Sequence, residues 1–206
     1  LTPFLGSFYG QAMRSGEIQL CYDEAGIGVK YYDHRFPLRL ASYSEVLRQN
    51  IDQLEVSLGR DSPVFMSFLG ALYLFDSLAD VRAGVVEDAQ VNHAKHMLGA
   101  AYSRNEAVRT HVERCLERYN DTALGEERVH RLDTLLSAQH FRLSFWKAAA
   151  EELNYRRFFT INDLICLNLQ RPEVFDAVHE ATFGLIEHKL VDGLRVDHID
   201  GLADPA

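Results

Sequence analysis

The sequence predicts a mostly α-helical fold with minor β structure, which taken by itself is an α+β chain. Three observations predict this fold class. Residues 1–41 contain short runs rich in Ile, Val and Tyr, residues 42–153 keep apolar residues at helical spacing, and residues 154–206 contain a helix followed by a strand-like run. These three parts are also the domain organisation that we expect.

The first part predicts a β-hairpin. The runs EIQLCYD and GVKYYDHRFPL have the length and composition of strands, and they are joined through EAGIG. Glycine at a hairpin connection is what the backbone of a tight turn requires.

The second part begins with a stretch that predicts one amphipathic helix ending at Gly59. Ser42 or Ser44 is suited to cap its N-terminus. Its apolar positions are Val46, Ile51, Leu54 and Leu58.

The rest of the second part predicts further helices. SPVFMSFLGALYLFDSLADV has Pro63 in its first turn and is apolar nearly all round, which is typical of a central buried helix. Later residues predict helices that break near Ser103 and continue through Trp146 to Leu153. We expect Trp146 to lie in the core.

The third part predicts a helix from Pro172 and then a strand in VDGLRVD. Two residues separate Arg195 from Asp197, so on a strand both side chains point to the same face. An arginine beside a carboxylate keeps the carboxylate ionised, as a nucleophile requires. An ordinary surface ion pair would explain these two residues equally well.

Composition excludes several classes of partner. A net charge of −9 without a basic stripe argues against nucleic acid. The longest apolar stretch, from Val64 to Phe75, is too short to cross a bilayer, so no membrane association is expected. The N-terminus lacks the basic region of a signal peptide and an initiator methionine. With the abrupt C-terminus, this predicts a piece of a longer chain.

Cysteine usage predicts free thiols. Cys21, Cys115 and Cys166 are far apart and odd in number, which fits neither a disulfide framework nor a metal motif. Free thiols are typical of a reducing compartment, so we expect a cytoplasmic protein.

Several motifs in the third part resemble the α-amylase superfamily, glycoside hydrolase family 13. They are Asp163-Leu164, then Pro172-Glu173-Val174, a helix, and Gly193-Leu194-Arg195-Val196-Asp197. The longer runs QHFRLSFWKAAAEELNYRRFFTINDLICL and VDGLRVDHIDGLADP resemble the maltooligosyltrehalose synthase branch of that superfamily. Many other members have histidine at the position of Gly201, so this departure favours the branch.

The resemblance implies a (β/α)₈ TIM barrel with a large helical insertion, in which residues 154–206 return to the barrel through one helix and its fourth strand. Asp197 would be the catalytic nucleophile, and Arg195 would orient it and keep it ionised. The implied substrate is a linear maltooligosaccharide, isomerised to a trehalose-ended product without a cofactor. A maltooligosyltrehalose trehalohydrolase would act next in trehalose biosynthesis.

The same resemblance implies that this chain holds one catalytic carboxylate of three. The general acid and the third acidic residue would come after Ala206, and the family's third-strand motif before Leu1. The chain alone is therefore expected to be inactive.

Other polar and aromatic residues are candidates for substrate binding. The resemblance favours His198 and Asp200 as sugar contacts, although a solvent-facing turn would explain them too. Aromatic rings and arginine donors also suit a glucan subsite, and the residues that could line it are Tyr155, Arg156, Arg157, Asn162 and Asp163. The alternative is that the aromatic residues there fill a core while the arginines make structural ion pairs.

Metal binding is not expected. Asp197, His198 and Asp200 are suitable ligand types, but no distant motif completes a set. His93 and His96 share a helix face, for which a solvated surface is the simpler explanation. The HRFP segment from His34 to Pro37 is either a substrate contact or the exit of the hairpin.

Two other functions stay open at this stage. One keeps the superfamily but makes the protein a glucan hydrolase or a different transglycosidase. The other is a helical binding or assembly module without chemistry of its own.

Overall fold

The structure is a computed structural model that describes residues 1–79, 88–159, 161 and 164–199. The chain divides into two compact units, Thr2–Trp146 and Lys147–Ala206 with Leu1. Helices dominate and the sheets are small, so the expected class, mostly α with minor β, is confirmed. The described strands close no barrel.

The elements are as follows. Strands β1–β5 are Thr2–Leu5, Ile18–Asp23, Gly26–Tyr31, His34–Pro37 and Leu143–Phe145. Helices α1–α8 are Tyr9–Arg14, Leu40–Leu47, Ile51–Leu58, Pro63–Ala79, Asp88–Arg104, Glu106–Asn120, Gly125–Ser137 and Pro172–Glu187. Two short 3₁₀ helices cover Thr122–Leu124 and Trp146–Ala150. Within the described ranges, no helix is both long and apolar enough to span a membrane.

The predicted hairpin is confirmed as part of an antiparallel sheet in the order β2-β3-β4. The turn between β2 and β3 requires glycine at its end. Gly26 has φ +98°, and a Cβ there would lie 2.2 Å from the hydroxyl oxygen of Tyr43. That hydroxyl donates to the carbonyl of Ile27 at 3.3 Å, so the turn fits closely against α2.

The outer edge of β2 is closed by a side chain from α6. The Asn120 amide accepts from the Leu20 N–H at 2.7 Å and donates to the Leu20 carbonyl at 2.9 Å. Asn120 therefore satisfies both backbone groups of one residue, as a neighbouring strand would. This contact protects an edge that would otherwise be open to pairing with another chain.

The single helix predicted from Ser42 to Gly59 is wrong, because it is two helices separated at Asn50. Asn50 has φ +54°, in the left-handed region that interrupts a helix. Gly59 ends α3 as expected. Ser42 and Ser44 do not cap α2: they are buried, and the Arg39 N–H at its N-terminus donates to Gln139 Oε1 at 2.9 Å.

Helices α4 to α6 surround the core of the larger unit. Phe65, Phe68 and Phe75 of α4 are buried, but Met66 and Tyr73 are 56% and 70% exposed, so α4 is not buried all round. The break expected near Ser103 is confirmed between α5 and α6. There the Asn105 side chain caps α6 by accepting from the Val108 N–H at 3.1 Å.

The helix predicted to continue through Trp146 to Leu153 is also wrong. After α7 the chain forms β5, which pairs in parallel with β1 and aligns Thr2 with Leu143. Trp146 is 52% exposed, so its predicted place in the core is wrong as well. Pairing between segments so far apart in sequence overrides the local helical pattern.

A buried arginine joins α7 to the first elements of the chain. Arg128 is 1% exposed, and its guanidinium donates to the Met13 carbonyl at 2.5 Å and to the Ile18 carbonyl at 2.9 Å. Burial lowers the pKa of Arg128. No carboxylate is among its hydrogen-bond partners within the described chain: carbonyl oxygens bind the guanidinium directly, and the charge of Asp121 opposes the effect of burial on the pKa of Arg128.

The smaller unit contains the predicted helix, α8, which starts at Pro172. Residues 191–198, for which the sequence predicts a strand of a longer barrel, have no regular secondary structure in this chain. A parallel strand needs neighbours to share its hydrogen bonds. None of the described strands pairs with this segment.

We expect Arg128→Leu to lower the free energy of unfolding by roughly 3 kcal/mol, because two buried carbonyls lose charge-assisted hydrogen bonds. Urea unfolding measures the change. Arg14→Leu is the matched control, since Arg14 joins α1 to Glu126 of α7 through an exposed ion pair. It should leave stability almost unchanged. Equal losses in the two variants would contradict this role of Arg128.

We expect Asn120→Ala to lower the free energy of unfolding by about 1–3 kcal/mol, because both backbone groups of Leu20 lose their partner. It should also promote self-association through the freed edge of β2. Urea unfolding and light scattering measure these effects. Asn92→Ala, at an exposed position of α5, controls for the substitution itself. If Asn120→Ala is as stable as Asn92→Ala, Asn120 does not stabilise the edge of β2 and the prediction is wrong.

Candidate functional site

The candidate site lies in the smaller unit and begins with a tight loop. The Phe158 N–H donates to the Leu164 carbonyl and the Cys166 N–H to the Arg156 carbonyl, both at 2.8 Å. An isolated antiparallel bridge joins Arg157 to Ile165 between these contacts. The two sides of the loop are therefore held together as in a short hairpin, which fixes Phe158 at its turn.

His198 lies against the aromatic residues of this loop. Its ring is edge-on to those of Phe158 and Phe159, with centroids 5.6 Å and 5.2 Å away. The two phenylalanine rings are 4.5 Å apart and also edge-on. Phe159 and His198 both have positive φ, 52° and 54°. The structure therefore brings two separate sequence motifs together in a cluster formed by Phe158, Phe159 and His198, the aromatic cluster.

Asp197 precedes His198 and pairs with Arg195. The nearest nitrogen of Arg195 lies 3.7 Å from a carboxylate oxygen of Asp197, so the two side chains share a side as expected. The side chains are 90% and 74% exposed, and water screens their attraction. Among the described residues this is the geometry of a surface ion pair next to the aromatic cluster.

The remaining predicted site residues are distributed around the loop. Tyr155 and Arg157 are half-buried, and Arg156 is exposed. Asn162, Asp163 and Asp200 lie outside the described residues. The sequence could not have shown that Phe158 and Phe159 contact His198, because both phenylalanines were equally suited to fill a core.

The other sequence candidates are in the larger unit. His34 of β4 is exposed, and its ring packs edge-on against Phe4 at 4.7 Å. His93 and His96 are exposed on α5, as a solvated face requires. In the described part of the chain, no three His, Cys, Asp or Glu side chains are grouped so as to hold a metal ion.

Comparison with known proteins gives a partial similarity. No family model matches the chain, and no solved structure matches it. Two curated proteins of Mycobacterium tuberculosis, from strains CDC 1551 / Oshkosh and ATCC 25618 / H37Rv, are each named "putative maltooligosyl trehalose synthase" and are 46% identical over 68 residues. The match covers 33% of this chain and 9% of each relative. A third of the chain is thus similar to a small part of these proteins.

A cysteine–histidine pair that sequence reasoning missed is buried in α6. Cys115 Sγ is 3.6 Å from His111 Nε2, a spacing that their separation of four residues on one helix makes possible. The same Nε2 is 2.8 Å from the Leu47 carbonyl, which only accepts, so this nitrogen donates. It therefore cannot take a proton from the thiol.

The electrostatics of this pair also argue against a nucleophile. Burial raises the pKa of Cys115 from 9.0 to about 11, whereas an active thiol needs a lowered pKa. Burial lowers the pKa of His111, which favours the neutral imidazole. The pair has a structural role: the Cys115 thiol donates to the Gln49 carbonyl at 3.6 Å, and the histidine to Leu47.

The raised pKa of Cys115 predicts a loss of stability in alkali. The folded state holds this proton up to about pH 11, while the unfolded chain releases it near 9.0. The contribution is therefore complete below pH 9 and is lost as pH rises through this window, by about 3 kcal/mol in full. Urea unfolding at pH 8 and pH 10.5 should show a smaller decline in Cys115→Ala than in the unsubstituted chain. Cys166→Ala is the control, and a decline that is parallel in all three proteins would show the prediction to be wrong.

Proposed function

We propose that this chain is part of an intramolecular transglucosylase. In this proposal the longer protein converts the reducing-end α-1,4 linkage of a maltooligosaccharide into an α,α-1,1 linkage, with Asp197 as its nucleophile. The observation that carries the proposal is the position of Asp197 directly before His198, whose ring packs on Phe158 and Phe159. The printed name of the two mycobacterial relatives supports the same activity.

The aromatic cluster is suited to a sugar subsite. Aromatic rings offer apolar faces to the C–H surface of a pyranose, while an imidazole offers a hydrogen-bonding edge. In the proposal His198 contacts a sugar hydroxyl and the phenylalanines support its ring. In the proposal the carboxylate of Asp197, the residue before His198, attacks the anomeric carbon of the same sugar.

The chemistry proceeds in two displacements at one anomeric carbon. The Asp197 carboxylate attacks this carbon, and the bond to the 4-oxygen of the terminal glucose breaks as a general acid protonates that oxygen. The freed glucose turns and attacks the glycosyl-enzyme through its anomeric hydroxyl, which returns its proton to the same acid–base group. This releases Asp197 and leaves the α,α-1,1 linkage.

Arg195 acts on the nucleophile. In the proposal its guanidinium, 3.7 Å from the carboxylate, attracts and orients Asp197. The effect is small in water and grows when the pair is enclosed, because the effective dielectric constant falls. The proposal therefore requires walls that exclude water from Asp197, which also prevent hydrolysis of the glycosyl-enzyme.

The exposed apolar surface of the smaller unit supports the presence of such walls in the longer protein. Helix α8 has no buried residue, and Phe175, Val178 and Phe183 are each about 40% exposed. A short helix in water depends on packing for its stability. We propose that further barrel elements of the longer protein cover this surface and supply the general acid and the third acidic residue.

The test uses the longer protein with maltopentaose, following reducing ends and free glucose together. We expect reducing ends to disappear with little release of glucose, and Asp197→Asn to slow this by roughly 10³-fold or more. Asp192→Asn changes an exposed carboxylate five residues earlier in the same segment, and should retain activity.

The outcomes separate the possible functions. An increase in reducing ends that Asp197→Asn abolishes would make the protein a hydrolase with the same nucleophile. No change of either product in the unsubstituted protein would leave a binding or assembly module, and would contradict the proposal. We expect no turnover from the 206-residue chain alone.

A further inference from the structure

A polar groove lies between α3 and α6 in the larger unit, and we call it the α3–α6 groove. Its volume is about 560 Å³, which is within the range of small-molecule pockets. Polar side chains from both helices and from the connection before α3 line it. Those that bear on ligand binding are Gln49, Asn50, Gln53, Thr110, Arg114 and Arg118.

Arg114 and Arg118 give the groove a concentrated positive charge. They are one helical turn apart on the same face of α6, where like charges repel each other. Neither guanidinium takes part in an ion pair with the described residues. Glu113, next to Arg114 in sequence, instead accepts from the Tyr102 hydroxyl at 3.2 Å. Two such arginines are notable in a chain with a net charge of −9.

The charge of these arginines reaches the floor of the groove, where His111 and Cys115 lie. Burial is the main cause of the lowered pKa of His111, and the charge of Arg114 lowers it further. For Cys115, burial raises the pKa and the charge of Arg118 opposes this. Neither His111 nor Cys115 adds a negative charge, and the carboxylate in the lining, Glu106, lies in the first turn of α6, about two helical turns before Arg114.

The neutral side chains supply hydrogen-bonding groups beside this charge. The Gln49 amide nitrogen donates to the Tyr119 hydroxyl at 2.7 Å. Its Oε1 is buried and has no hydrogen-bond partner among the described residues. A buried acceptor without a partner is costly, and rotation of the Gln49 side chain toward the groove would let a ligand hydroxyl satisfy it. Gln53 and Thr110 add further donors and acceptors.

We propose that the α3–α6 groove binds a phosphorylated sugar, with its phosphate on Arg114 and Arg118 and its hydroxyls on Gln49 and Gln53. Guanidinium groups bind phosphate oxygens through paired, charge-assisted hydrogen bonds. A neutral oligosaccharide fits less well, because the lining contains no Phe, Tyr or Trp on which a sugar ring could stack. This site is independent of the proposed function, since Asp197 belongs to the other unit.

The test is calorimetric titration of the full chain with glucose 6-phosphate, inorganic phosphate and glucose. Arg114→Gln and Arg118→Gln should each weaken glucose 6-phosphate binding roughly tenfold or more. Arg109→Gln is the matched control on α6, because Arg109 does not line the groove and lies over the Tyr102 ring. Circular dichroism and thermal unfolding confirm that each variant is folded.

A second variant distinguishes the two halves of the ligand. Gln49→Ala should weaken binding of glucose 6-phosphate but leave that of inorganic phosphate unchanged. Glucose alone should bind at least tenfold more weakly than its phosphate ester. Absence of glucose 6-phosphate binding, equal binding of glucose, or equal weakening by Arg109→Gln would overturn the proposal. Equal binding of inorganic phosphate without any effect of Gln49→Ala would also overturn it. None of these results alters the maltopentaose assay, so the two proposals fail separately.

Discussion

The larger unit depends on the buried guanidinium of Arg128, which holds two backbone carbonyls from the beginning of the chain. Its contacts with Met13 and Ile18 join α7 to the end of α1 and the start of β2. Once β2 is held on α7, its outer edge meets Asn120 of α6, and the hairpin turn at Gly26 closes on Tyr43 of α2. The sheet and the helices are therefore one folded body and not two modules. Replacing Arg128 alone lowers stability, because the two carbonyls that it donates to stay buried without a hydrogen-bond partner.

The smaller unit is stabilised differently, and this bears on its chemistry. Its described residues include a loop whose two sides are joined by a pair of backbone hydrogen bonds, the aromatic cluster and α8, but few buried apolar side chains. A carboxylate nucleophile requires a fixed orientation and low access to water. Asp197 has a defined neighbour in Arg195, yet it is 74% exposed. Arg195 gives Asp197 a defined partner, but the nucleophilic role that we propose for Asp197 also requires groups that exclude water from it.

Local patterns predicted the elements that depend on local physics. The hairpin follows from alternating residues and glycine, α8 from Pro172, and the end of α3 from Gly59. The wrong predictions involve partners that are distant in sequence. Strand β5 pairs with β1, and the N–H at the N-terminus of α2 donates to Gln139 where a serine cap was predicted. The site shows the same division. Strand geometry predicted that Arg195 and Asp197 share a side, and they do so although their segment has no regular secondary structure, whereas the contact of His198 with Phe158 and Phe159 depends on loop geometry and on two residues with positive φ.

The break between α2 and α3 connects the fold to the α3–α6 groove. A left-handed residue at Asn50 ends the run of helical hydrogen bonds and leaves the carbonyls of Leu47 and Gln49 to find other donors. His111 and Cys115 of α6 donate to these two carbonyls, which explains why an imidazole and a thiol are buried side by side without reactive chemistry. Gln49, next to this break, lines the same groove as Arg114 and Arg118. The neutral pair on the floor also preserves the charge of the arginines, since a carboxylate in that place would neutralise it. His111 and Cys115, which bond the carbonyls left free between α2 and α3, are therefore neutral groups in a groove that we propose to bind an anion.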